Sequence, residues 1–238
     1  MRRVEHIMGL PISLHIAEGS AAGADPAFAW LREVDARFSP FRDDSEVCRL
    51  DRGELDLHEV SPDLATVLDL CEQFRVASGG AFDARLPGRA LDPCAIVKGW
   101  AVQRAARLLT DHGARALCLN AGGDVVTVGG PWRIGIRHPE TTEELCAVLE
   151  VDDAAVATSA RYERGDHILD GRTGRPATEL LSLTVLAPSL TEADATATAA
   201  FAMGYDGIAW AAAREGCEVY AVDADRQVFR TPGLPLAG

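Results

Sequence analysis

The chain has 238 residues, is 47% hydrophobic and 25% charged, and has a mean hydropathy of +0.01, an ordinary globular composition with enough chain for one sizeable core and no window approaching the length of a membrane span. Its formal charge of -13 repels phosphate backbones and anionic lipid, which argues against nucleic acid or a membrane surface as partner, so an anionic ligand needs a metal or a local cation. Six scattered cysteines with no C-x-x-C pair read as reduced thiols, and no apolar stretch suited to a signal peptide follows Met1, so a cytoplasmic location is expected.

Residues 4–17 mix apolar and polar positions around Pro11 and predict a bent strand or hairpin. Residues 26–38 carry apolar residues at helical spacing behind Pro26, and a polar loop, SPFRDDSEVCRLDRGE, follows. Ser61-Pro62-Asp63 opens a second helix over 61–77, ended by Gly79-Gly80, and residues 97–112 form a third, stopped by Gly113. Beyond residue 114 come short β-rich runs: ALCLN, VVTV, WRIGIR, CAVLEV, AVATS and LSLTVLAP. An Ala/Thr-rich helix from Leu190 to Met203, another near 206–214 and a hairpin around Cys217–Phe229 complete the chain. The expectation is an α+β fold, a mostly antiparallel sheet with packed helices in one compact unit over 1–238.

Four segments offer chemistry. Asp194 and Thr198, four apart on a helix, share a face and present hard oxygen donors suited to Mg²⁺ or Ca²⁺; a capping Asp and a packing Thr fit equally. His167, in the run His167-Ile168-Leu169-Asp170, is a candidate base or an incidental loop histidine. On a strand it would share a face with Leu169, leaving Ile168 and Asp170 on the other. Asn120-Ala121-Gly122-Gly123-Asp124 either admits an anion to its backbone or is a plain hairpin turn. Lys98 near a helix start opposes the helix dipole, which makes sense beside an anion and otherwise marks a solvated side chain.

Taken in order, these segments resemble the ApbE family, the FAD:protein FMN transferases. The likeness runs through Met8-Gly9, Ser39-Pro40-Phe41, Asp44-Ser45-Glu46 and Gly79-Gly80-Ala81-Phe82-Asp83. It continues through Asp92 to Val102, Asn120 to Asp124, Ala157-Thr158-Ser159, His167 to Gly174 and Ala193-Asp194 with Thr198. The resemblance implies an ApbE-like, T-fold-like architecture and Mg²⁺ held by Asp194, Thr198 and the carbonyl of Val97. It also implies FAD as substrate, with Lys98 by the phosphates and Met8 and Phe41 flanking the flavin ring. Asn120, Gly122, Gly123 and Asp124 would line that site, with Asp83, Thr158, Ser159, His167 and Asp170.

The implied reaction is attack of a Ser/Thr hydroxyl of an acceptor flavoprotein on the FMN-side phosphorus, with His167 as base, Lys98 assisting and AMP leaving. FAD hydrolysis to FMN and AMP, or non-catalytic FAD binding, are the alternatives. Three departures stand out from the family pattern: Pro93 for leucine, Cys94-Ala95 for Gly-Gly, and Gly171 for a proline. The first pair of side chains would crowd a ligand-facing backbone, and Gly171 would loosen the turn after Asp170.

Overall fold

The computed structural model of the chain describes residues 1–141, 143–165 and 167–238, side chains of 163 and 164 excepted. Strands β1 (Arg2–Ile7) and β2 (Leu10–Gly19) form an antiparallel hairpin. Its two-residue turn, Met8-Gly9, has φ of 56° and 70°, the primed geometry that matches strand twist. Methionine is an unusual occupant of that left-handed position, and this one is half-buried against the core.

Helix α1 (Ala24–Phe38) follows, burying Phe28, Leu31, Val34 and Phe38 at the spacing of a single stripe. Within the segment expected to be a polar loop lies a short helix, α2 (Glu46–Asp51), nucleated where Ser45 Oγ accepts from Cys48 N at 3.0 Å. Helix α3 (Pro62–Ala77) starts at the Ser61 cap and Pro62. Helix α4 (Cys94–Asp111) begins three residues before the sequence suggests, because the 92–93 turn already caps it: Asp92 Oδ1 accepts from Cys94 N at 3.0 Å.

The β-rich half then runs β3 (Ala114–Ala121), β4 (Asp124–Val128), β5 (Trp132–Arg137), β6 (Leu145–Val151) and β7 (Ala155–Ala160). A short turn of helix, α5 (Arg161–Arg164), precedes the two-residue strands β8 (Leu169–Asp170) and β9 (Arg175–Pro176). Strand β10 (Leu180–Ala187), helices α6 (Leu190–Met203) and α7 (Tyr205–Ala212), and strands β11 (Glu218–Asp223) and β12 (Val228–Arg230) close the chain.

Eight strands make one antiparallel sheet, in the order β1-β2-β3-β4-β7-β10-β11-β12. Period-two alternation divides its side chains between two layers. Ala155, Ala157, Leu183, Val185, Val219 and Ala221 point into the large core under α1, α4 and α6. Val156, Tyr220 and Val222 point the other way, under the β5–β6 hairpin and Leu234. Helix α6 is buried almost all round. Its run of alanines lets α4 on one side and β7 on the other approach closely, bringing Asp194 and Thr198 beside the start of α4. The antiparallel sheet with packed helices agrees with the fold class read from sequence.

Candidate functional site

The start of α4, α6, the end of β7 and several loops enclose a cavity of about 560 Å³. Met8, Phe41, Asp83, Val97, Lys98, Gly122, Thr158, Ser159, His167, Asp194 and Thr198 all line it. Segments spread from residue 8 to residue 198 therefore converge on one space.

The inner end is electrostatic. Asp194, only 4% exposed, accepts a hydrogen bond from Gly99 N at 2.9 Å through Oδ2. Glycine is required at 99 because a Cβ there would meet Leu190 O at 2.5 Å and Asp194 Cβ at 2.8 Å. Lys98 Nζ forms an ion pair with Asp124 and lies 3.4 Å from Asp194 Oδ1. Burial pushes the Asp194 carboxyl up from its ordinary range; Lys98 pulls it back, and the neighbouring Asp124 charge pushes it further up.

Two buried carboxylates thus face one ammonium, leaving excess negative charge among hard oxygen atoms. Thr198 Oγ1, 3.3 Å from Ser159 Oγ, and Val97, which ends the first turn of α4, border the same corner. Carboxylate, hydroxyl and carbonyl donors around uncompensated negative charge fit a hard divalent cation such as Mg²⁺.

The outer end is aromatic and open. Phe41 is 84% exposed, its loop held by Phe41 N donating to Ser39 Oγ at 3.2 Å, and it faces the cavity edge with Met8. His167 is also exposed. Its Nδ1 lies 3.0 Å from the carbonyl of Gly165. A carbonyl only accepts, so Nδ1 is the donor, and in the neutral imidazole Nε2 is the nitrogen with the lone pair that a general base needs.

Other candidates take supporting places. Of the Asn120–Asp124 segment, Gly122 alone borders the cavity. The segment is a hairpin turn: Asn120 Oδ1 accepts from Gly123 N at 2.9 Å, and Gly122 N donates to Pro11 O at 3.1 Å, seating it against Leu10 and Pro11 at the start of β2. Asp124 lies buried behind the wall, accepting from Thr158 N at 3.0 Å and holding Lys98. Asp170 does not border the cavity. Burial raises its carboxyl, but Arg172, bonded to it at 2.8 and 3.0 Å, outweighs burial and holds it below the usual range.

His167 stands before the two-residue strand β8, so period-two alternation does not reach it, and His167, Ile168 and Leu169 all border the cavity. The turn after Asp170 is not loosened by Gly171. Gly174 N and Thr173 N donate to Asp170 O at 2.7 and 3.1 Å.

The cavity also includes residues that the sequence did not single out for a site: Asp35, Leu86 and Arg89, with Cys94 and Ala95 of the altered Gly-Gly pair in its wall. Arg89 is exposed and has no ion pair among the described residues. A second arginine, four residues after Arg85 and shortly before Lys98 in a chain of charge -13, was the available signal for it.

The model of the ApbE family matches residues 8–87 and 84–221. The chain belongs to the ApbE family. Among its relatives, the FAD:protein FMN transferase of Treponema pallidum is 34% identical over 172 residues, covering 62% of this chain and 47% of that protein. The FAD:protein FMN transferase of Escherichia coli is 30% identical over 161 residues, covering 61% and 46%. The chain spans about half the length of these relatives.

Among solved structures, the ApbE protein of Thermotoga maritima superposes with a TM-score of 0.86 at 22% identity, over 98% of this chain and 97% of that one. The flavin transferase ApbE of Vibrio cholerae gives 0.82 at 24%, with the same coverage. These likenesses establish that the ApbE fold extends across the chain. Among the described residues, no helix is long and apolar enough to cross a membrane.

Proposed function

We propose that this chain, acting as one ApbE unit over residues 1–238, cleaves FAD at its pyrophosphate and transfers FMN to a Ser or Thr hydroxyl of an acceptor flavoprotein. The observation that carries this reading is one cavity with a hard-donor corner at Asp194, Thr198 and Val97 and a base, His167, in its wall. The names of the relatives agree with it.

Met8 and Phe41 offer faces for the isoalloxazine ring, and Gly122, Asp83, Thr158 and Ser159 shape the wall around the rest of FAD. Lys98 orients the phosphates while remaining tied to Asp124. Asn120 and Gly123 hold the hairpin that presents Gly122, and Asp170 braces the loop of His167 through Arg172. A divalent cation, Mg²⁺ by preference, held at Asp194, Thr198 and the Val97 carbonyl would supply positive charge against the charge developing on the phosphoryl oxygens. His167 Nε2 takes the acceptor hydroxyl proton, the hydroxyl oxygen bonds to the FMN-side phosphorus, and the pyrophosphate bond breaks with AMP leaving.

Six cysteines without a disulfide suit a reducing compartment, the cytoplasm, and the charge of -13 keeps nucleic acid and anionic membranes from being partners. The open placement of His167 also admits water, and so supports hydrolysis of FAD to FMN and AMP as a second reading. Incubation with FAD and Mg²⁺, with and without an acceptor, separates the two. Acceptor-bound flavin marks transfer, and free FMN plus AMP without labelling marks hydrolysis. Bound but intact FAD under both conditions contradicts both.

A further inference from the structure

Gly171 stands where backbone from a distant part of the chain leaves no room for a side chain. Its N–H donates to Ala81 O at 2.8 Å. A Cβ built there would lie 2.3 Å from Gly80 O, 2.9 Å from Asp83 Cβ and 3.2 Å from Ala81 O. The contact joins two walls of the cavity, the Ala81–Asp83 turn and the hairpin that carries His167.

The two sides differ in firmness. Ala81 is fully buried and Phe82 is 4% exposed; Phe82 N donates to Ser78 Oγ at 2.9 Å, Gly80 N to Arg75 O at 2.8 Å, and the Phe82 ring packs 6.0 Å from Phe74. The hairpin is bonded within itself, Ala177 N to Ile168 O at 2.9 Å and Gly174 N to Asp170 O at 2.7 Å, but most of it is exposed. It meets the body at Ile168 and Ala177, both half-buried against the core, where β8 approaches α6, and at Gly171. Any side chain at 171 therefore displaces the hairpin as a unit and leaves the turn in place. His167, one residue before the Ile168 pivot, moves with it.

We infer that Gly171 is a positioning residue for the transfer step: its missing side chain and its N–H clasp the His167 hairpin to the Ala81–Asp83 turn and so set the distance from base to substrate. This rests on the flavin-transfer reading above. It also gives the departure from the family's proline a physical reason: proline has no N–H for Ala81 and would place its ring on the Gly80 carbonyl. The Asp194 corner and Lys98 are built on α4 and α6, apart from this clasp, so affinity for FAD and the transfer rate separate.

The test compares Gly171→Ala and Gly171→Pro with Gly174→Ala, which strains the same hairpin through its left-handed φ of 68° but would bring its Cβ within 4 Å of nothing. Melting temperature, FAD binding by flavin fluorescence, and kcat and KM with a Ser/Thr acceptor are measured for each. Both Gly171 variants are expected to bind FAD within about threefold of the unaltered protein while kcat falls roughly 10- to 100-fold. Gly174→Ala is expected to keep its kcat. A folded Gly171→Ala protein with the original kcat overturns the proposal, as does a parallel loss of FAD affinity, or an equal loss of kcat in Gly174→Ala. If Gly171→Pro alone fails to fold, Gly171→Ala decides. FAD binding without transfer or hydrolysis by the unaltered protein overturns instead the reading on which the proposal rests.

Discussion

The two ends of the cavity are built on opposite principles. At the inner end Asp194, Lys98 and Asp124 are fixed by α4 packing on α6 and by β4 behind them, with charges buried and hydrogen-bonded. At the outer end Phe41 and His167 hang on exposed loops, steadied by local hydrogen bonds, and Met8 sits half-buried on a hairpin turn. The difference teaches where precision is stored. Burial makes the charge of Asp194 costly, so its neighbours must be fixed closely. On the proposed reading, a flat flavin ring and an acceptor hydroxyl would tolerate loops, provided a few contacts orient them.

That contrast can be broken by substitution, and the inner end should suffer most. Asp194→Ala removes the carboxylate of the candidate metal corner, and Mg²⁺-dependent turnover should fall to background, read as flavin transfer with and without Mg²⁺. Activity that still responds to Mg²⁺ at the original rate would remove Asp194 from that role. His167→Ala should slow chemistry by about 10²–10⁴-fold, the usual contribution of a general base, while FAD affinity stays nearly unchanged. A rate equal to that of the unaltered protein would end the assignment of His167 as base.

Gly99→Ala sharpens the comparison from the stability side. Its Cβ would collide with backbone between α4 and α6, so a loss of about 1–3 kcal/mol is expected in denaturant unfolding. Unchanged stability would mean that the two helices are free to part. The smallest effect is expected at the mouth: Phe41→Ala should weaken FAD binding by about 1 kcal/mol or less, seen in a flavin titration, because an exposed ring gives up little on truncation. A loss as large as that of Asp194→Ala would show that the mouth, not the buried corner, dominates recognition.

Much of this was legible in the sequence because it is local. The spacing of Asp194 and Thr198 gives one helical face, Ser61-Pro62 announces α3, and alternating runs mark the sheet. Lys98 looked misplaced at a helix start; the structure explains it through Asp124, a partner 26 residues later that no local pattern reveals. Helix α2 was hidden because its six residues are too few to show a period. Asn120 and Asp124 belong to the right motif but act from behind the wall, a distinction that depends on which face of a turn meets the cavity. Gly171 was misread for the same reason: its meaning lies in Gly80 and Asp83, far away in the chain.

The most direct measurement incubates the purified protein with FAD, Mg²⁺ and an acceptor carrying a flavinylation Ser or Thr, and then looks for flavin fluorescence on a denaturing gel. The account predicts a fluorescent acceptor band that depends on Mg²⁺ and on that hydroxyl, with AMP released in equal amount. A dark acceptor beside free FMN and AMP would contradict transfer and make the protein a hydrolase of FAD.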